Sequence, residues 1–278
     1  MTAPDGTEVC GIHRVFNPKT LQGEVAVVTG GGSGIGLAIA RDLAACGADV
    51  TITSRSAQRL DQAQIAIADQ IGELCGAIPC DVRKEADVER LRDYVLHRSG
   101  PSTIVVNNAA ANFPVRAERM SRRAFDTVLE TDLHGTVNVT QAFVGDMITR
   151  RHGVVVNITL ATPERGFPGF AHCGASKAAI VSLTASWASE WGRHGVRVNA
   201  IGPGPVPTDG VAANMLGTDS SRAFSGIVDK VPLRRLGTPD DISPTVVFLC
   251  SPAGSWITGG NIVVDGGMSL NPSALPDK

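Results

Sequence analysis

Short runs of aliphatic and β-branched residues recur along the chain at 25–29, 49–54, 77–80, 103–107, 154–159, 197–201 and 261–265. Stretches with helical spacing or length separate them, at 34–46, 57–70, 85–98, 122–150, 174–192 and 240–250. Near-continuous apolar strands alternating with helices are the signature of a parallel sheet covered on both faces. The pattern predicts one doubly wound α/β domain, a three-layer Rossmann-type sandwich with a seven-stranded parallel sheet. In the 122–150 helix, Phe125, Leu129, Leu133, Val137 and Phe143 fall near one stripe, the expected sheet-facing side. Residues 1–22 read as an N-terminal extension, 23–270 as the domain and 271–278 as a polar tail. The uncharged run 242–264 has the length of a membrane span, but Pro244, Pro252, Gly254, Gly259 and Gly260 break it into helix, loop and strand. The Gly- and Pro-rich stretch 202–226 between two regular elements is expected to be a mobile substrate loop.

After the first strand comes Thr29-Gly30-Gly31-Gly32-Ser33-Gly34-Ile35-Gly36, leading directly into a helix. Glycines at a strand-to-helix turn let the backbone approach a pyrophosphate, and the helix N-terminus offers free N–H groups and a partial positive charge. This is the T-G-x3-G-x-G form of a dinucleotide turn, with a ligand-free tight turn as the plain alternative. An NAD-binding chain places an acidic residue at the end of the second strand to accept from the ribose hydroxyls. Ser54, Arg55 and Ser56 stand there instead. An arginine pairs with a 2′-phosphate, which points to NADP(H), unless Arg55 is an ordinary exposed side chain. Asp81 and Val82 end the third strand and are placed to flank the adenine. Asn108, Ala109 and Ala110 end the fourth, where small residues let a nicotinamide lie against the backbone.

Composition narrows the partners. The chain has 278 residues, 43% apolar and 19% charged, enough for a large single core. Lys plus Arg is 25 and Asp plus Glu 27, a net charge of −2, which gives no overall cationic field for nucleic acid or an anionic membrane. Cys75 and Cys80 are the one closely spaced cysteine pair, no second pair completes a zinc site and no histidine shows ligand spacing, so no metal is expected and the thiols read as reduced and buried. No signal-peptide stretch precedes the domain, and the final Pro-Asp-Lys is not a peroxisomal Ser-Lys-Leu signal, so the expected location is the cytosol.

TGGGSGIG, the NNAA stretch from Asn107, Lys177 in ASKAA, RVNAIGPGP from Arg197 and the late DGG at Asp265 occur in an order that resembles the short-chain dehydrogenase/reductases over about residues 20–268. The resemblance implies that Pro203 and Gly204 lie beside the nicotinamide, that Val206, Thr208 and Thr159 belong to the cofactor site, and that Lys177 holds the nicotinamide ribose. The chain departs from the family at the catalytic set. A Tyr-x-x-x-Lys pair normally puts a phenol and an ammonium one helical turn apart, but Cys173 precedes Lys177 at that spacing and the chain's one tyrosine, Tyr94, lies far upstream. Leu160 stands at the usual serine, and Asp132, in TDLHG, at the usual helix asparagine.

These losses are similar to those of the peroxisomal-type 2,4-dienoyl-CoA reductases, and RVFNPKTLQGEVAVVTGGGSGIG, TSRS, NNAAANF, VVVNIT, AHCGASKAA and SEWG resemble the same branch. The resemblance implies NADPH-dependent reduction of an acyl-CoA dienoyl thioester to an enoyl-CoA in the β-oxidation of unsaturated fatty acids, with Asp132 and Lys177 as the catalytic pair. Phe113, Ser121, Arg122 and Arg123 are then expected on the substrate side, with Arg83 at the CoA phosphates; a solvated helix start is the alternative for the arginine cluster. His172 either donates to the thioester or only lines the pocket, and Cys173 reads as small apolar filler. A homotetramer built on the two long helices is implied. Two other readings stay open: a related reductase of an enoyl thioester or carbonyl, and a catalytically silent NADP(H)-binding regulator.

Overall fold

The computed structural model describes residues 12, 15–162, 166, 168–208 and 226–270. The tail 271–278, most of the proposed extension and the centre of the substrate loop, 209–225, lie outside the described residues.

Seven strands, β1 (Val25–Thr29), β2 (Asp49–Ser54), β3 (Gly76–Pro79), β4 (Ile104–Asn107), β5 (Gly153–Ile158), β6 (Val196–Pro203) and β7 (Asn261–Val264), form one parallel sheet in the order β3-β2-β1-β4-β5-β6-β7. Every residue of β1, β4 and β5 is buried, which is why these strands read as unbroken apolar runs rather than as alternations. Helices α1 (Gly34–Ala45), α2 (Ala57–Ile71) and α3 (Glu85–Ser99) connect the first four strands. The 122–150 segment is two helices, α4 (Arg122–Leu129) and α5 (Gly135–Arg150), joined by a π-helical turn at Glu130–His134. Then follow α6 (Ala171–Trp191) and α7 (Pro239–Cys250).

Two apolar layers sandwich the sheet. One gathers Ile39, Leu43, Leu60 and Ile67 of α1 and α2 with Val246 and Leu249 of α7. The other gathers Leu91, Val95, Phe143, Met147 and Trp187 of α3, α5 and α6. Between α1 and α7, the buried Asp42 accepts from Ser243 Oγ at 2.5 Å and from Arg41 Nε at 2.8 Å.

The long-helix stripe is corrected by the structure. Phe143 is buried, but Phe125, Leu129, Leu133 and Val137 are only half-buried, and the buried face is Val128, Asp132, Thr136, Val139 and Phe143. The buried face already runs through Val128 rather than Leu129 before the π turn and keeps three- and four-residue steps through it, so the large apolar residues before Phe143 mark the flank of the helix and smaller or polar ones its core-facing side. Helix α6 also begins three residues earlier than its sequence start, because the Gly174 N–H closes onto the Phe170 carbonyl at 2.9 Å and keeps Gly174 inside the helix. The five described cysteines are buried and form no disulfide with one another, and no helix among the described residues is long and apolar enough to cross a membrane.

Candidate active site

The strand order reverses between β1 and β4, and the crevice outside their carboxyl ends is where an open parallel sheet binds ligands. Thr29 closes the two strands there: its Oγ1 donates to the Val106 carbonyl at 3.3 Å and accepts from the Asn108 and Ala109 N–H groups at 2.9 and 3.0 Å. The Asn108 amide returns the contact by donating to the Thr29 carbonyl at 3.0 Å and the Gly30 carbonyl at 3.3 Å.

The glycine turn sits directly above this staple. Gly30 and Gly34 have φ of 67° and 55°, the left-handed region that favours glycine. Ser33 is the N-cap of α1, but its side chain makes no capping hydrogen bond and no acidic residue occupies the first turn. The leading N–H groups of α1 are therefore not capped by Ser33, and a diphosphate fits their charge and direction. Thr208 packs over the turn, its methyl 3.0 Å from where a Cβ on Gly34 would lie, so the segment after β6 reaches the site. Gly204, just beyond Pro203, is held by donation of its N–H to the Val264 carbonyl at 2.9 Å. Val206 is buried against Gly237.

At the end of β2, Arg55 is exposed. Ser56 is the N-cap of α2, its hydroxyl accepting from the Arg59 N–H at 3.3 Å, and Ser54 Oγ donates to the Ser56 carbonyl at 3.2 Å. The serine hydroxyls are thus partly committed to the turn. Arg59, which the sequence reading passed over, has its Cβ 3.4 Å from the position a Gly32 Cβ would take. It lies in the first turn of α2, four positions after Arg55, and the R-x3-R spacing is the signal for it in the sequence. At the end of β3, Asp81 accepts from Arg83 Nε at 2.8 Å and Nη2 at 2.5 Å, which holds its carboxyl below the usual range against the opposing effect of burial, with Arg55 adding to the lowering. Val82 is spent packing on α5, its Cγ2 only 2.5 Å from a Cβ built on Gly135.

The π turn and α6 bring the second half of the site together. Asp132 is fully buried; its Oδ1 accepts from the Ala111 N–H at 2.8 Å, and its Oδ2 faces Lys177 Nζ and Ser176 Oγ, each at 3.4 Å. Lys177 is 6% exposed and donates to the Ile158 carbonyl at 2.9 Å. A bifurcation of the α pattern at Glu130–His134 is what turns Asp132 inward from a helix whose neighbouring Glu130 and His134 face out. Cys173 lies on the same side of α6, and burial pushes its thiol up to about 11, with Asp132 adding and Lys177 opposing, so it carries no thiolate nucleophile at neutral pH. His172 is fully buried and meets Phe113 edge-on, ring centroids 4.9 Å apart.

Not every candidate joins this cluster. Thr159 is buried with its hydroxyl directed to the Ile201 carbonyl and Asn261 Oδ1, at 3.0 and 2.9 Å, so it braces β5 against β6 and β7. Ser121 caps α4 by accepting from the Ala124 N–H at 3.1 Å, and Arg122 pairs with Asp126 four residues on at 2.7 Å, both local contacts of an exposed helix start. Arg123 is exposed beside them. Residues overlooked from sequence complete the frame. Asn107 donates to Thr140 Oγ1 and to Asn157 Oδ1, and Asn157 donates to Thr184 Oγ1, each at 2.9 Å and all buried. This chain ties β4 and β5 to α5 and α6, and Thr184 lies two helical turns past Lys177, which fixes the height of the ammonium in the site. Among the described residues no group of His, Cys, Asp or Glu is disposed to hold a metal ion.

A family model described as enoyl-(acyl carrier protein) reductase matches residues 30–269. A zebrafish (Danio rerio) protein named "Peroxisomal 2,4-dienoyl-CoA reductase [(3E)-enoyl-CoA-producing]" is 36% identical over 256 residues, covering 92% of this chain and 85% of that one. A Bacillus subtilis (strain 168) protein named "Probable 2,4-dienoyl-CoA reductase [(2E)-enoyl-CoA-producing]" is 34% identical, covering 91% of this chain and 99% of its own. Among solved structures, a Sinorhizobium meliloti 1021 chain described as "a putative short-chain alcohol dehydrogenase" is 33% identical with a TM-score of 0.85, covering 92% of this chain and 100% of that one.

Proposed function

We propose, from the premise that the chain belongs to the short-chain dehydrogenase/reductase family, that it is an NADPH-dependent reductase of 2,4-dienoyl-CoA thioesters. The observation that carries the reading is the replacement of the phenol by a buried, neutral Cys173 beside an intact Lys177–Asp132 pair. A site that handles an alkoxide needs a good acid at the Cys173 position, whereas a conjugated thioester needs only a donor at its oxygen and a proton for carbon. The relatives named as dienoyl-CoA reductases support the substrate class.

The glycine turn and the uncapped start of α1 would hold the cofactor's diphosphate, Arg55 and Arg59 the 2′-phosphate, Asp81 the adenine edge, and Lys177 the nicotinamide ribose. When bound, the reduced nicotinamide supplies a hydride to the δ-carbon of the dienoyl chain, and the negative charge spreads to the thioester oxygen as a dienolate. Lys177, held by the Ile158 carbonyl and by Asp132, provides the proton for the α-carbon through water and regains it from solvent. Protonation there leaves the remaining double bond between C3 and C4; protonation at the γ-carbon leaves it between C2 and C3. Asp132 fixes both partners of this step, its Oδ1 on the loop after β4 and its Oδ2 on the ammonium. Phe113, Arg83 and Arg123 are the residues proposed for the substrate side.

The test is NADPH oxidation with trans-2,trans-4-hexadienoyl-CoA beside a 2-enoyl-CoA saturated at C4 and a simple ketone, with the product double bond located by NMR. Turnover confined to the dienoyl ester supports the reading; turnover of the ketone alone replaces it with carbonyl reduction; tight NADPH binding with no turnover replaces it with a regulatory cofactor-binding role. Cofactor preference is checked separately. An Arg55→Asp variant is expected to lose about 10–100-fold of its preference for NADPH over NADH, the worth of one charge-assisted contact to the 2′-phosphate. Equal kinetics with both cofactors before and after the substitution would remove Arg55 from the 2′-phosphate site.

A further inference from the structure

His172 holds a hydrogen-bond donor with no partner among the described residues. Its imidazole is fully buried in the first turn of α6, and the Cys173 N–H donates to Nδ1 at 2.8 Å. With Nδ1 occupied as an acceptor, the proton of the neutral ring is on Nε2. Among the described residues Nε2 has no hydrogen-bond partner. The Phe170 and Phe113 carbonyls and the Asp132 carboxylate bias the ring toward protonation, but neither carbonyl meets Nε2 in hydrogen-bond geometry, and burial outweighs all three and lowers the imidazole below its ordinary value. The ring is therefore neutral at neutral pH, with one tautomer and one buried N–H. An unmet buried donor is costly and is kept where something else uses it.

The neighbouring groups do not offer the same service. Both oxygens of Asp132 are accepting, from the Ala111 N–H on one side and from Ser176 and Lys177 on the other. The Ser176 hydroxyl is directed at the Cys173 carbonyl at 2.9 Å as well as at Asp132. The Cys173 thiol is a weak donor, and the Lys177 ammonium already serves the Ile158 carbonyl and Asp132. Phe113, edge-on to the imidazole, places the ring against an apolar surface of the kind a polyene chain packs on.

We propose that His172 Nε2–H is the hydrogen-bond donor to the substrate's thioester carbonyl oxygen, stabilising the negative charge that develops there while the ring stays neutral. The assignment rests on the conjugated-thioester reading above. A neutral imidazole of lowered pKa acting as an electrophile is sound chemistry, because a donor that does not surrender its proton needs no reprotonation between turnovers.

The experiment compares His172→Gln with His172→Asn. A glutamine amide reaches the position of Nε2, whereas an asparagine amide reaches only that of Nδ1, and the two variants disturb packing alike. His172→Asn is expected to lower kcat on hexadienoyl-CoA on the order of 10²–10³-fold, the usual loss for one oxyanion donor, with KM and NADPH affinity changed only a few-fold. His172→Gln is expected to recover at least about tenfold of that loss. A second readout needs no turnover: in the complex with NADP+ the dienoyl chromophore should absorb to the red of its position in water in the wild type and the glutamine variant, and not in the asparagine variant. Equal kcat and an equal red shift in both variants would overturn the role of His172 while leaving the substrate reading intact. A wild type that neither turns over nor shifts the dienoyl ester overturns the substrate reading itself, and the assignment of His172 falls with it.

Discussion

Replacing Lys177 with methionine is expected to lower turnover by about 10²–10⁴-fold, the range for removal of a positioned proton donor, and to cost about 3–5 kcal/mol of folding stability by leaving a buried carboxylate without its counter-charge. The two losses have different causes. Lys177 and Asp132 are both buried, at 6% and 0% exposure, and only 3.4 Å apart, so methionine fills the volume of the lysine stem but strands the charge of Asp132. The Ile158 carbonyl loses its lysine donor at the same time. Pairing Lys177→Met with Asp132→Asn separates the effects. The double variant is expected to regain most of the stability lost in the single lysine variant, because no unpaired charge remains. Its turnover should stay as low as that of the single variant, because the proton source is still missing. Urea denaturation read against kcat for the four proteins of the cycle checks both. A lysine variant of wild-type stability would mean that Asp132 is not held as a charged partner, and a double variant that recovers turnover would remove Lys177 from the proton step.

The fold was legible because its strands are buried on both faces. Val25–Thr29 and Gly153–Ile158 carry side chains that solvent never sees, so the apolar run itself marks the strand and the glycine turn after the first marks the crevice. What periodicity does not encode is a change of period. The π turn at Glu130–His134 has no residue that announces it, and it carries Asp132, which faces Lys177. Asp132 and Lys177 lie 45 positions apart and entered through resemblance to a family rather than through spacing. Ser176 and the Asn107–Asn157–Thr184 chain were missed for a related reason: a short polar residue inside a helix or strand is indistinguishable by sequence from a solvent-facing one until the facing element is in place. Thr159, Ser121 and Arg122 show the reverse, residues whose type suits a ligand but whose polar atoms are engaged by near neighbours.

A methyl group at Gly36 should damage cofactor binding more than one at Gly32, although both glycines belong to the same turn. A Cβ on Gly36 would lie 2.3 Å from the Gly30 carbonyl oxygen, 2.8 Å from its carbon and 2.4 Å from Asn108 Nδ2. Two of those atoms are backbone, and the third belongs to the amide that staples β1 to β4 through the Thr29 and Gly30 carbonyls. Nothing there yields without moving the phosphate cradle. Gly36→Ala is therefore expected to cost about 3 kcal/mol, the upper part of the overpacking range, and to abolish most of the thermal stabilisation that saturating NADPH gives the wild type. A Cβ on Gly32 would meet Ser54 Oγ at 3.3 Å and Arg59 Cβ at 3.4 Å, side-chain atoms that shift by a few tenths of an ångström. Gly32→Ala should keep stability within about 1 kcal/mol of the wild type and weaken NADPH more than NADH, since the atoms it displaces lie where the 2′-phosphate is proposed to bind. Melting curves of both variants with and without each cofactor measure all of this at once. A Gly36→Ala protein that retains the full NADPH shift would show that the diphosphate does not depend on the close approach of α1 to β1, and the cofactor site would have to be sought elsewhere along the crevice.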